Sequence, residues 1–310
     1  IPSESSVPVA VRQAVGSVFH NIYAEGYPDE TCRTFTQQKI LDLDLRLAEY
    51  RRHSDKRYYK GTEFADVIES LARRRAAEVY ANEHVQPEDI WVNVQPLSGS
   101  PANSAVYSAL MQPGDTLMGM DLLHGGHLTH GSPASRSGII YNVVSYSVDP
   151  DTERLNYDTI RALALEHRPK VIVAGFTSYP YAPDWQKFRA IADEAGAYLL
   201  ADVSHVSGLL AARIFPSPVG VAHVVSFTTH KTLAGPRGAV LMTTDRKIAR
   251  LLDHAVFPGE QGGPHVNAIA GMAVAFRLAA TDQFRELQRQ TVINAQRLAR
   301  KLAERGLRIP

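Results

Sequence analysis

The sequence predicts an α/β fold, a three-layer α/β/α domain around a mostly parallel sheet. Three observations carry that expectation. Short apolar runs alternate with helix-like stretches from residue 91 to residue 243, the pattern of helices packed on both faces of a parallel sheet. Several runs, such as 198–202 and 224–227, stop abruptly in polar residues, as buried strands do. From Asn267 onward the pattern turns helical, with Ala and Leu enriched and charges interleaved.

The elements follow in order. Residues 1–28 read as irregular. Residues 34–53 read as one amphipathic helix, with Ile40, Leu41, Leu43, Leu45 and Leu47 among charges and Thr34 and Gln37 as a capping box. Residues 64–81 form a second helix. Strand-like and helix-like segments then alternate at 91–94, 103–111, 116–118, 139–144, 157–167, 171–175, 184–195, 198–202, 224–227 and 239–243. No internal repeat or low-complexity linker interrupts them.

Composition narrows the function classes. The chain has 310 residues, 45% of them hydrophobic, enough to bury a sizeable core in one large domain or two. A net charge of +1 gives no case for nucleic-acid or membrane partners. No apolar stretch approaches a transmembrane helix, and no signal peptide is visible. Cys32 is the one cysteine, so no intrachain disulfide forms, and a cytoplasmic location is expected. Cys32 itself reads as incidental.

Chemistry concentrates in four segments. The run 225–227 leads into Thr228, Thr229, His230 and Lys231, then turns on Gly235-Pro236-Arg237-Gly238. A lysine at the carboxyl end of a sheet strand can be a covalent amine that holds an aldehyde cofactor, though alone it reads equally as a solvated charge. The run 198–202 ends in Asp202 and is followed by His205. Ligands of open α/β sheets bind at such strand ends, so both residues are expected to converge with Lys231. A buried aspartate would keep a pyridine nitrogen protonated, but alone Asp202 reads as well as a cap or turn residue. The small-residue loop Ser98-Gly99-Ser100 opens a helix and offers backbone N–H groups to a phosphate; by itself it reads better as a plain N-cap turn. Residues 124–131 place three histidines among glycines. A metal reading competes there with a histidine face stacked on an aromatic cofactor, and no cysteine or second histidine cluster nearby completes a ligand set.

These segments together resemble serine hydroxymethyltransferase, a pyridoxal-phosphate enzyme of fold type I, the aspartate-aminotransferase type. The resemblance runs through Tyr23-Ala24-Glu25-Gly26-Tyr27-Pro28, Lys56-Arg57-Tyr58-Tyr59, the Ser98 loop and the 124–131 block. It continues in Asp202-Val203-Ser204-His205, Thr228-Thr229-His230-Lys231, Gly235-Pro236-Arg237-Gly238 and 257–264. It implies pyridoxal 5'-phosphate as cofactor, tetrahydrofolate as co-substrate and transfer of the hydroxymethyl group of serine, leaving glycine. A folate-independent aldolase of threonine-like β-hydroxy amino acids on the same scaffold, or a non-catalytic fragment, are the other readings.

The resemblance also implies roles. Lys231 bonds the cofactor aldehyde, Asp202 pairs with the ring nitrogen, and His127 stacks on the ring. His205 and Thr177 lie at the ring oxygen. Ser98, Gly99, Ser100 and His230 contact the phosphate, and Gly262 and Gly263 reach the phosphate of a neighbouring subunit's site. Tyr23 also serves across a dimer interface. Glu25 handles the proton at the substrate hydroxyl, with Tyr59 close by. Thr228 and Arg237 tune the lysine, Arg237 being placed also at the substrate. Ser3 touches the substrate carboxylate, and Leu122 and Leu128 pack on the folate ring. A homodimer with shared active sites, or a tetramer, is the implied assembly.

The sequence departs from the family pattern in three ways. In the family the Tyr-Pro pair runs almost directly into Arg-Tyr-Tyr; here 29–55 intervene, either as a surface excursion or as a segment that reshapes the active-site mouth. The family continues past a point equivalent to Pro310 into a small domain that carries the carboxylate-binding arginine, so the expected division is 1–60, a cofactor-binding domain 61–280, and the truncated start of the small domain at 281–310. Within motifs, Phe227 replaces a usual threonine and Thr177 a usual serine. Glu260 sits where small residues are common and is expected to point away from the phosphate loop, which its charge would repel.

Overall fold

The computed structural model describes residues 3–53 and 56–309. The amino-terminal part is not irregular, as its sequence suggested. It forms helix α1 (Val9–Val15), a short turn of helix at Val18–Asn21 and strand β1 (Gly26–Tyr27). Helix α1 is short and largely exposed apart from Val11. It is held by tertiary packing on a later helix rather than by propensity.

The expected single helix over 34–53 is also corrected. A helical turn at Glu30–Thr34 precedes α2 (Gln37–Leu41) and α3 (Leu43–His53), which break at Asp42. The cap is Thr36, whose hydroxyl accepts from the Lys39 amide at 3.2 Å, whereas the Thr34 hydroxyl donates to the Thr31 carbonyl. Strand β2 (Lys56–Arg57) then returns to pair antiparallel with β1, Gly26 opposite Arg57 and Tyr27 opposite Lys56. The 29–55 segment is therefore an excursion closed by a two-residue ladder. It packs through Cys32, Ile40, Phe35 and Leu47 against Val67 and Leu71 of α4 (Glu63–Tyr80). Glu30 reaches further, pairing with Arg246 at 2.6 Å and with Arg250 at 3.5 Å.

The remaining elements are β3 (Trp91–Asn93), α5 (Gly99–Leu110), β4 (Thr116–Met120), α6 (Arg136–Ile140), β5 (Asn142–Tyr146), α7 (Tyr157–His167), β6 (Val171–Gly175), α8 (Trp185–Ala195), β7 (Tyr198–Asp202), α9 (Ser207–Ala211), β8 (Val224–Thr228), β9 (Ala239–Thr243), α10 (Arg246–His254), α11 (Val266–Ala279) and α12 (Asp282–Ala303). The run at 139–144, expected as one strand-like piece, divides into the end of α6 and the start of β5. Side chains cap several of the helices. Asn156, Asp184 and Asp245 accept first-turn amides of α7, α8 and α10, the use these short polar residues are suited to.

Seven strands form one sheet in the order β3-β9-β8-β7-β6-β4-β5. From β8 to β5 the neighbours are parallel, and β9 and β3 add antiparallel pairings at one side. Strands β6, β8 and β9 are buried at every residue, as strands covered on both faces must be. Alternate residues enter different cores. Ile172, Leu199, Val225 and Val240 join one apolar cluster with α4, α8 and α11. Val171, Leu200, Val224 and Leu241 join the other with α5 and α10. This two-sided burial is the three-layer arrangement the sequence predicted.

Candidate active site

Strand order reverses around β4, which has β5 on one side and β6 on the other, both parallel to it. Ligands of such sheets bind beyond the carboxyl ends of strands near that point. A cavity of about 200 Å³ lies there, lined from the ends of β6, β7 and β8, the start of α5 and the loop after β4.

Asp202 ends β7 and is 9% exposed. Every acceptor position facing the protein is used. Oδ1 accepts from the Ser204 hydroxyl at 2.6 Å and its amide at 3.1 Å. Oδ2 accepts from Asn103 Nδ2 at 2.8 Å and lies 3.1 Å from His130 Nε2. The His127 amide donates to His130 Nδ1 at 3.3 Å, so Nε2 is the nitrogen that carries hydrogen and donates to Asp202. Burial alone would raise the Asp202 pKa. The His130, Ser204 and Asn103 contacts outweigh it and hold the carboxyl well below the usual carboxylate range. The product is a fixed, buried negative charge facing a cavity.

Lys231 lies three residues beyond β8, half-buried. Burial lowers its pKa, Arg237 lowers it further, and the Asp202 charge opposes both. Its loop is tightly built: the Ala234 amide donates to the Lys231 carbonyl at 2.9 Å, and the Gly235 amide to the Thr229 carbonyl at 2.7 Å. Ala234 takes a left-handed φ of 55°. A Cβ on Gly235 would fall 2.8 Å from the Thr229 carbonyl oxygen, which explains the glycine. The amino-terminal segment reaches this loop too, with the Ser5 hydroxyl donating to the Lys231 carbonyl at 2.6 Å.

Of the residues singled out in the sequence, Lys231, Asp202, His127, Thr228, Ser98, Gly99, Ser100, Thr177, His205, His230 and Arg237 all line this cavity. The others do not. Tyr23, Glu25, Tyr59, Gly262 and Gly263 gather in a second cluster. There the Tyr23 and Tyr59 rings meet edge to face at 6.2 Å. Glu25 lies over the glycine pair, so that a Cβ on Gly262 would stand 3.4 Å from its Oε1. Leu122 and Leu128 are about half exposed on the short turns flanking the glycines of the 124–131 block. Ser3 is partly buried and lines no part of the cavity. Among the described residues of the 29–53 segment, none lines it either.

Sequence reasoning missed Asn103, His130 and Ser204 as partners of the carboxylate. His130 was visible only as one of three histidines; its spacing of three from His127 is the signal, since it lets one ring brace the other's backbone. Glu260 turns toward α5 and α6, accepting from the Ser108 hydroxyl at 2.7 Å and pairing with Arg136. Phe227 buries its ring against Tyr80 at 4.8 Å.

The family model described as serine hydroxymethyltransferase matches residues 49–310. The chain belongs to the serine hydroxymethyltransferase family. It is accordingly an enzyme of the pyridoxal-phosphate-dependent transferase kind, in the one-carbon and serine–glycine branch of metabolism. The matched residues begin within the excursion, so Ser3, Tyr23 and Glu25 lie outside them. Among the described residues no group of three His, Cys, Asp or Glu could hold a metal ion, and no helix is long and apolar enough to cross a membrane.

The cavity fits the family's cofactor on its own chemistry. Thr228 Oγ1 and His230 Nδ1 are buried without a hydrogen-bond partner, and such groups are costly unless something satisfies them. A Cβ on Gly99 would stand 2.8 Å from Thr228 Cγ2, so the backbone at the start of α5 can be approached closely. A phosphate there would meet free amides and the positive end of a helix. The buried Asp202 carboxylate calls for a cationic partner, which a protonated pyridine nitrogen is.

The two half-buried histidines set a pH dependence. Burial, then the Lys231 charge, lowers His205 to about 4; burial, then Arg237 and Lys231, lowers His230 to about 4. Unfolded histidine titrates near ~6.5, so below that pH the unfolded chain takes up protons that these two rings refuse. Stability is therefore expected to fall as pH drops from about 6.5 to about 4, with no contribution from this pair above that window. Denaturant midpoints without added cofactor should show a shallower decline in a His205→Asn/His230→Asn double variant. An unchanged slope would remove the pair as the cause.

Proposed function

We propose that the protein transfers the hydroxymethyl carbon of serine to tetrahydrofolate, giving glycine and 5,10-methylenetetrahydrofolate. The observation that carries this reading is a single cavity lined by both a fixed buried carboxylate, Asp202, and an amine, Lys231, whose pKa burial lowers. Bound pyridoxal phosphate supplies a ring that accepts the electron pair left when a carbon departs.

The chain's own residues would do the rest. Lys231 offers an amine that is neutral more often than a solvated lysine, hence able to bond the cofactor aldehyde. Asp202 keeps the ring nitrogen protonated, and His130, Asn103 and Ser204 hold Asp202 in place. His127 covers the ring, with Thr177 and His205 at its oxygen. The amides of Ser98, Gly99 and Ser100, with His230, hold the phosphate. Thr228 and Arg237 tune the lysine, and Arg237 also stands at the substrate. Glu25, beside Tyr59, takes and returns the proton of the serine hydroxyl. Ser3 meets the substrate carboxylate, and Leu122 and Leu128 the folate ring. Tyr23, Glu25, Tyr59, Gly262 and Gly263 lie outside the cavity of their own chain, which supports a homodimer or a higher oligomer whose copies complete one another's sites.

Glycine formation from serine, measured with and without tetrahydrofolate, tests the reaction. Folate-dependent glycine is the expected result. Glycine from threonine without folate, faster than from serine, would replace this reading with a β-hydroxy amino acid aldolase.

A further inference from the structure

We propose that Arg57 is a positioning residue for Glu25, holding the backbone on both sides of that carboxylate from an anchor buried outside the cavity. The proposal rests on the reading of Glu25 as the proton-transfer group. One nitrogen, Arg57 Nη1, donates to the Ala24 carbonyl at 2.8 Å and to the Gly26 carbonyl at 2.7 Å. The next amide, that of Tyr58, donates to the carbonyl of Glu25 itself at 2.9 Å. Three consecutive carbonyls are thus claimed by two adjacent residues, and Glu25 is the middle one. Gly26 allows the arrangement by taking a φ of 101°.

The clamp is anchored deeply. Arg57 Nε donates to Asp66 Oδ1 at 2.9 Å and Nη2 to Glu69 Oε2 at 2.8 Å. Arg57 is 5% exposed, Asp66 0% and Glu69 1%, so the pairs are shielded from water and their geometry is stiff. Gln95 closes the circuit, with Nε2 donating to the Gly26 carbonyl at 2.8 Å and to Glu69. A surface ion pair would fix nothing of this kind. The planar fork matters: a lysine ammonium can keep the charge but cannot serve both carboxylates and two carbonyls in these fixed directions.

A double-mutant cycle in the purified holoenzyme tests this. Arg57→Lys is expected to lower kcat for serine cleavage by about tenfold or more, as a slightly displaced catalytic group does, with KM changed far less. In a Glu25→Gln background the same change should cost less than about threefold, because its effect runs through Glu25. Amide exchange at Tyr58 should rise in Arg57→Lys, a readout independent of turnover. Equal losses in both backgrounds would overturn the proposal and leave Arg57 a structural residue. Glu25→Gln without effect on kcat would overturn the role of Glu25 and the proposal with it, a result the cycle separates from the first. If Arg57→Lys fails to fold, Glu69→Gln loosens the same anchor isosterically, and its kcat loss must likewise shrink in the Glu25→Gln background or the proposal falls.

Discussion

Lys231→Ala is expected to lose covalent capture of pyridoxal phosphate and to cut serine turnover by at least about a thousandfold, the scale seen when an enzyme loses its covalent group. Borohydride reduction of the cofactor-loaded protein should add the cofactor's mass less one oxygen, lost as water on condensation before two hydrogens are gained, to the peptide carrying Lys231, and to none in the variant. Lys231→Arg should fail equally. It keeps the positive charge near Asp202 but has no amine that becomes neutral near pH 7. The two variants together separate charge from nucleophilicity. Wild-type turnover by either would refute the assignment of the lysine. The lowered pKa is the physical reason for the expectation: burial, with Arg237 lining the same cavity, disfavours the ammonium.

Asp202→Asn is expected to lower turnover by about a hundredfold or more while leaving a folded protein. The amide cannot supply the negative charge that would keep a ring nitrogen protonated, and electrostatic terms of this kind in a water-poor site are large. It also places an NH2 group against donors, either Ser204 or the Asn103–His130 pair, so a folding cost of about 2 kcal/mol is expected from the mismatched hydrogen bonds. The sign with pH is opposite to a simple cavity effect. The carboxyl is depressed on folding, so its contribution is present above the unfolded value near ~3.9 and disappears as pH falls through the folded value. Denaturation of wild type and variant should therefore differ most near neutrality and least in acid. A difference that grows toward low pH would refute the depressed carboxyl.

Most of the sheet was legible in the sequence because its strands are buried on both faces. The boundaries of β6, β7 and β9 follow directly from where the apolar runs stop. The division of 139–144 was not legible, since Ile139 is exposed at the end of α6 while Val143 and Val144 pair within the sheet; local hydrophobicity looks the same in both. Likewise α1 carries little signal of its own and depends on α11, where Gly271 lets Val15 approach closely enough that a Cβ would stand 2.7 Å from it. In the site, the residues at strand ends announced themselves. Asn103, His130 and Ser204 did not, because their importance lies in which oxygen of Asp202 each one meets. The clamp on Glu25 was hidden for a further reason: Ala24 and Arg57 are separated by the whole excursion, and they meet through the ladder and the buried anchor on Asp66 and Glu69.

That ladder makes the excursion a branch rather than a link. Because Tyr27 and Lys56 are held side by side, the length of chain between them is nearly free to vary; each doubling of a closed loop costs only about 0.6 kcal/mol in entropy. The main body meets the branch through an apolar footprint on α4, the contacts of Glu30, Gln37 between Glu78 and Arg75 of α4, and Arg33 over the Trp91 ring. The same junction is therefore a natural acceptor for foreign sequence. A tag, a reporter domain or a shorter turn grafted between Pro28 and Lys56 would inherit a ready-made pair of attachment points, on condition that the Gly26–Arg57 pairing beside Glu25 is kept.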